Sequence, residues 1–197
     1  MSSHKLVTAE ETQKLLSKAA KTSITPTLLS AFYTISAFEF LKSIMPGQIP
    51  RLVIRAQPLD FLMGASDLIA VRKSLEENWD IRFISSLHAK VYLVGDQLLI
   101  GSGNLTSNGL HLNGPGNLEL NCLVEADGPS RNLIMNIFNQ AESFTAELLD
   151  RIEEFLDGMA NNNDPLSTAW WPDFVLPVQE RELFCCDFPQ AAAVESQ

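Results

Sequence analysis

His88-x-Lys90 and Ser102-x-Asn104 place four polar residues in LHAKVYLVGDQLLIGSGNLTSNG, residues 87–109, a stretch otherwise rich in Val, Leu and Ile. Together these groups could hold and attack a phosphate. The Lys90 ammonium offers charge to a phosphate oxygen, and Ser102 and Asn104 offer neutral donors. His88 could attack phosphorus or exchange protons near neutral pH. Gly101 and Gly103 let the backbone come close to a ligand. Polar groups in an apolar hairpin cost free energy unless something compensates them, and a bound phosphodiester would do so. His-x-Lys alone reads as a solvated strand face, since average residue usage produces it often. The full His-x-Lys…Gly-Ser-x-Asn pattern is far rarer.

Strand geometry must bring these groups together. Residues two apart share a face, so His88 projects with Lys90 and Ser102 with Asn104. Lys90–Val94 and Leu98–Gly101 read as a hairpin, apolar on both faces through VYLV and LLI. A three-residue loop, Gly95-Asp96-Gln97, sets His88 opposite Asn104 and Lys90 opposite Ser102. A two-residue loop sets Lys90 opposite Gly101 and throws Ser102 to the other side. The odd loop is therefore expected.

Around the hairpin, strands are expected at Thr27–Tyr33, Arg51–Ala56, Ile81–Ser85 and Leu118–Val124. They alternate with helices at Ala37–Met45, Ser66–Trp79 and Pro129–Gln140, the last continuing toward Leu156. An amphipathic helix is expected over residues 5–21. This order implies an α/β fold, a mixed β-sheet flanked by helices on both faces. After Gly158, NNNDP marks a boundary. Residues 1–158 read as the catalytic domain, and 159–197 as an acidic C-terminal extension, partly disordered.

At 197 residues, with 46% hydrophobic and 19% charged residues, the chain suits one domain with a real core. Its net charge of −10 is unevenly spread. Up to Ala141, twelve acidic residues balance twelve basic ones; from Glu142 onward, twelve acidic residues face only Arg151 and Arg181. The repulsion that a strongly acidic protein exerts on nucleic acid thus applies to the C-terminal quarter, not to the motif. The three cysteines, two of them adjacent, suggest no disulfide framework, and a reducing cytoplasm is expected. No signal peptide or membrane span is expected. No Cys/His cluster has zinc spacing, so the expected chemistry uses no metal and no cofactor.

The segment from Leu87 to Val124 resembles the phospholipase D superfamily, whose signature is His-x-Lys, a later Asp, then Gly-Ser-x-Asn or Gly-Ser-x-x-Asn. LHAKVYLV, GSGNLT and NLEL look most like its metal-independent nucleases, and within them like the catalytic domain of a restriction endonuclease that cuts without magnesium. A vaguer likeness extends over Thr27 to Leu156, where LLSAFYTISAFEF is similar to that family's first strand and helix. The resemblance implies a phosphohistidine mechanism with two His-Lys-Asn sets around one phosphate. One histidine attacks phosphorus; the other protonates the leaving oxygen and then activates water. This chain holds one set, so the resemblance implies a homodimer with His88 in both roles. It carries Lys90 and Asn104 onto the phosphate-binding positions, Ser102 beside them, and Glu119 onto the acid that orients the histidine. The superfamily's Asp falls at Gly95; Asp96, next to it, reads as a turn residue.

Gly103, Thr106 and Ser30 are further expected substrate contacts, with helix capping as the competing role for Thr106 and core packing for Ser30. Arg51, Arg55, Arg72, Lys73 and Arg82 could form a modest phosphate-binding surface, though solvated faces are the commoner use of such residues. Trp170-Trp171 reads as packing. The function expected is metal-independent cleavage of DNA by a homodimer, with a partner protein as one route to targeting. The alternatives are a lipid phosphodiesterase, which no membrane anchor or basic amphipathic helix supports, and a weakly active or inactive nuclease-like module in a defence or repair assembly.

Overall fold

The computed structural model describes residues 4–21 and 24–160. Thr8 divides the first segment. Its hydroxyl accepts the Glu11 N–H at 3.4 Å while the Glu11 carboxylate accepts the Thr8 N–H at 3.0 Å, a reciprocal capping box. The helix therefore starts at Ala9, and residues 5–7 are extended, not helical as the sequence reading expects. The elements are β1 (Lys5–Val7), α1 (Ala9–Ala19), β2 (Thr27–Ser30), α2 (Ile35–Ile44), β3 (Arg51–Ile54), α3 (Pro58–Leu62) and α4 (Leu68–Glu76). They continue with β4 (Asp80–Phe83), β5 (Lys90–Val94), β6 (Gln97–Gly101), α5 (Ser107–Leu110), β7 (Asn121–Glu125), α6 (Gly128–Gln140), β8 (Glu142–Ser143) and α7 (Ala146–Ala160).

The strands form one eight-stranded sheet in the order β1-β7-β6-β5-β2-β3-β4-β8. β2, β3 and β4 are mutually parallel and the other pairings antiparallel, so the sheet is mixed, as expected. Alternation along the strands splits the core between two faces. Leu28, Leu52, Ile54, Tyr92 and Leu99 pack on one side with Leu16 of α1, Leu41 of α2, Val71 of α4 and Ile152 of α7. Leu29, Val53, Leu93 and Leu98 pack on the other with Ile134 and Phe138 of α6. Burying a large apolar side chain stabilises by about 1.5–3 kcal/mol, and both faces of the central strands gain in this way.

The helix expected from Pro129 toward Leu156 is interrupted. Ala141 turns to extended backbone, and Glu142–Ser143 pair with β4 as an edge strand. α7 then starts afresh, with the Leu148 N–H on the Thr145 hydroxyl at 3.1 Å. It runs two residues past the expected boundary at Gly158; the extension beyond Ala160, with Trp170-Trp171, lies outside the described residues.

The hairpin loop is a second correction. Val94 pairs with Gln97 and Leu93 with Leu98, so the loop is the two residues Gly95-Asp96. Gly95 has φ +59°, which suits the first central position of a type II′ turn. In this register Lys90 falls opposite Gly101, and the facing of Lys90 with Ser102 is lost.

Gly101 is where β6 closes on β7. A Cβ there would lie 2.1 Å from Asn121 Oδ1 and 2.5 Å from both Asn121 Cα and Leu120 O, two of them backbone atoms that cannot rotate away. Gly101→Ala is expected to destabilise the fold by about 1–3 kcal/mol through forced backbone shifts. Urea unfolding checks this, and an unchanged midpoint would show that β6 and β7 separate at no cost.

Candidate active site

The even loop does not scatter the site, because the chain leaves the ladder after Gly101. Residues 102–104 bend away from β6, and Leu105 forms a parallel bridge with Tyr33 beyond the end of β2. Strand alternation therefore stops applying before Asn104. The Asn104 Oδ1 accepts the Phe32 N–H at 3.2 Å and lies 3.4 Å from Ser30 Oγ. Ser30 is the register partner of Lys90, and the Ala31 N–H bonds Ala89 O at 3.0 Å, which carries the ladder on toward Phe32 and His88. Asn104 thus reaches the same end of β2 and β5 as His88 and Lys90. Because Oδ1 faces Phe32, the amide is oriented, and its Nδ2 donors lie on the opposite side.

The supports beneath are buried and bonded. Ser30 is 0% exposed; its hydroxyl donates to Phe32 O at 2.6 Å and accepts the Leu105 N–H at 2.9 Å. It holds the loop from below and does not line the cleft, which corrects its place as a substrate contact. Gly103 is buried too: its carbonyl accepts the Tyr92 hydroxyl at 2.5 Å and its N–H lies 3.4 Å from Asn121 Oδ1. With both backbone groups engaged, it has no free group to offer a substrate. Burial pushes the Tyr92 phenol upward, so it stays protonated as a donor. Thr106 caps α5, accepting the Gly109 N–H at 3.0 Å.

Ser102 turns toward β7. Its hydroxyl donates to the Glu119 carboxylate, and its backbone and side chain bond Leu120. Glu119 is 8% exposed, and its other oxygen is 3.4 Å from Asn117 Nδ2. Within one chain its bonds go to Ser102 and Asn117, not to His88. Asn121, two residues on and buried, links the loop to α1 through a 2.9 Å bond to Thr12 Oγ1. The sequence reading missed Asn121; its signal was the two-residue spacing from Glu119, which puts a second polar side chain on one face of an apolar strand.

His88 is exposed and Lys90 half-buried, with the Lys90 ammonium 3.1 Å from His88 O. The Lys90 charge, then burial and the Arg55 charge, hold the His88 pKa below its ordinary value, with Asp60 acting the other way. Burial, then Arg55, lowers Lys90, while Glu119 opposes. A neutral imidazole is the form that can attack phosphorus.

Three of the other basic residues named from sequence go elsewhere. Arg72 pairs with Asp150 and Glu153, Arg82 with Asp80, and Arg51 lies 5.9 Å from the Phe138 ring. His111 is a tether: its ring nitrogens sit 2.7 Å from Glu10 Oε1 and 2.7 Å from Asn117 O. The bonds to Asn117 and Glu10 raise its pKa, because two acceptors require both nitrogens protonated. Among the described residues, no group of three or more His, Cys, Asp or Glu is placed to hold a metal, and no helix is long and apolar enough to cross a membrane.

The two histidines should titrate apart. In an NMR pH series, the His88 ring is expected to titrate below about 6.5 and the His111 ring above it. Lys90→Met should move His88 upward by removing the largest cause of its depression. A His88 titration unmoved by that change would show that the two groups do not interact.

No protein-family profile matches the chain, and no curated protein sequence matches it. Solved structures do. A phospholipase D family member, Nuc from Salmonella typhimurium, aligns over 74% of this chain and 100% of its own, with a TM-score of 0.57 at 16% identity. A phosphatidylserine synthase from Haemophilus influenzae Rd KW20 aligns over 81% of this chain and 44% of its own, with a TM-score of 0.54 at 12% identity. At such identities the likeness is one of architecture: the chain has the fold of the phospholipase D superfamily.

Proposed function

We propose that this chain is a phosphodiesterase that cleaves nucleic acid, DNA foremost, without a metal ion and through a phosphohistidine on His88. The observation that carries the reading is the convergence of His88, Lys90 and the oriented Asn104 amide at one end of β2 and β5. Lys90 and the Asn104 Nδ2 donors hold the non-bridging oxygens. The neutral His88 imidazole attacks phosphorus, forming a P–N bond as the P–O bond to the leaving nucleoside breaks. The departing oxygen takes a proton from His88 of the partner subunit. Water then attacks the phosphohistidine, giving its proton to the partner's His88 as the P–N bond breaks. Ser102 and Glu119 brace the loop that delivers Asn104.

The second copy is required because His88 is the one histidine of the motif in each chain and the mechanism uses two. The surface beside the site suits such a contact: Leu118 and Leu120, on either side of Glu119, are 94% and 54% exposed.

The test is cleavage of plasmid DNA by the purified protein in EDTA, beside a lipid substrate. Wild type is expected to cut DNA, and His88→Ala to lose activity by roughly 10⁴-fold. Acid quenching should trap a phosphorylated wild type, and sedimentation should show a dimer. Cutting that persists in His88→Ala removes the phosphohistidine. Release of a lipid head group in place of DNA cleavage moves the protein to the lipid class.

A further inference from the structure

The sequence reading leaves Arg55 between a modest phosphate-binding surface and a solvated face; the structure packs it against the site. It follows β3, and its N–H bonds Ala31 O at 3.3 Å at the end of β2. Its guanidinium lies 4.8 Å from the centre of the Phe32 ring. Phe32 is the residue whose N–H orients Asn104. Asp60 grips the guanidinium through Nε and Nη2 at 2.8 and 2.6 Å. The pair is largely buried, with side-chain exposures of 18% for Arg55 and 6% for Asp60.

Such a pair is a poor stabilising device, because desolvation offsets most of the attraction. What it secures is position. Asp60 occupies one edge of the guanidinium, which leaves the Nη1 donors pointing away from the carboxylate. The site also gathers like charges: the Lys90 and Arg55 charges disfavour the protonated form of His88, and the Arg55 charge adds to the burial that disfavours protonated Lys90. That repulsion is relieved when an anion sits among them.

We infer that Arg55, fixed by Asp60 and Phe32, is a further phosphate-binding residue of this site, supplying a rigid cation beside Lys90. The inference rests on the phosphate-handling reading above and extends it by naming a group outside the His-x-Lys and Gly-Ser-x-Asn segments. Asp60 is then a positioning residue acting through Arg55.

The experiment separates the two ideas. Binding of orthovanadate and inorganic phosphate is measured calorimetrically for wild type, Arg55→Gln and Arg55→Lys, and hydrolysis of bis(p-nitrophenyl) phosphate in EDTA is measured in parallel. Loss of a charge-assisted hydrogen-bonding group predicts anion affinity about tenfold or more weaker in Arg55→Gln, with an intermediate value in Arg55→Lys. In hydrolysis, KM should rise more than kcat falls. Where Arg55→Gln does not fold, Arg55→Lys carries the measurement, since it keeps the charge and loses the two-point grip on Asp60. Folded variants that bind anion like wild type overturn the inference even if wild type is an active phosphodiesterase. Arg55-dependent anion binding without hydrolysis upholds it and removes the proposed reaction. A wild type that binds neither anion overturns both.

Discussion

The Asn104 amide accepts the Phe32 N–H at the end of β2, and the Ser30 hydroxyl beneath it accepts the Leu105 N–H. Through these bonds a chain that has just left β6 is fastened across β5 to β2. They set the Asn104 amide against the end of β2, the end that also carries His88 and Lys90. Tyr92 and Asn121 hold Gly103 from two further directions, and Gly109 completes the enclosure. A Cβ on Gly109 would lie 2.4 Å from Asn104 O, so only glycine lets α5 begin that close to the loop. Buried polar networks of this kind are costly when partly satisfied and rigid when complete.

That arrangement explains what the sequence made legible and what it hid. The sheet, its helices on both faces and the strand positions follow from hydrophobic period and turn residues, and the motif residues stand out because they interrupt apolar runs. The relation between them was not legible in the same way. Counting residues two apart holds only while a strand stays in its ladder, and the ladder ends at Gly101. Asn104 reaches its place through a bend and two hydrogen bonds to a strand more than seventy residues earlier. β1, β8, α3 and α5 are too short to show a period, and the end of the helix at Ala141 depends on an edge vacancy beside β4 that no local signal records.

The electrostatics of the site follow from the same closure. Bringing Lys90, His88 and Arg55 to one end of the central strands disfavours the charged forms of His88 and Lys90, and the two nearby carboxylates offset this unequally. Asp60 is committed to Arg55, while Glu119 is committed to Ser102. Among the described residues no carboxylate pairs with Lys90, and its ammonium bonds the backbone oxygen of His88. A ligand carrying negative charge therefore meets a cation whose neutralisation has been left open, in a setting where water is partly excluded and attraction is stronger than in bulk solvent.

The sheet ends in strands of only three and two residues, β1 and β8. Long open edges invite strand-to-strand addition between molecules, and short ones deny it. Copies of this protein therefore have little backbone to zip together, and a fibre built by sheet extension is disfavoured at both margins. Among the described residues, the surfaces left for specific contacts are side chains and loop ends and not strand edges.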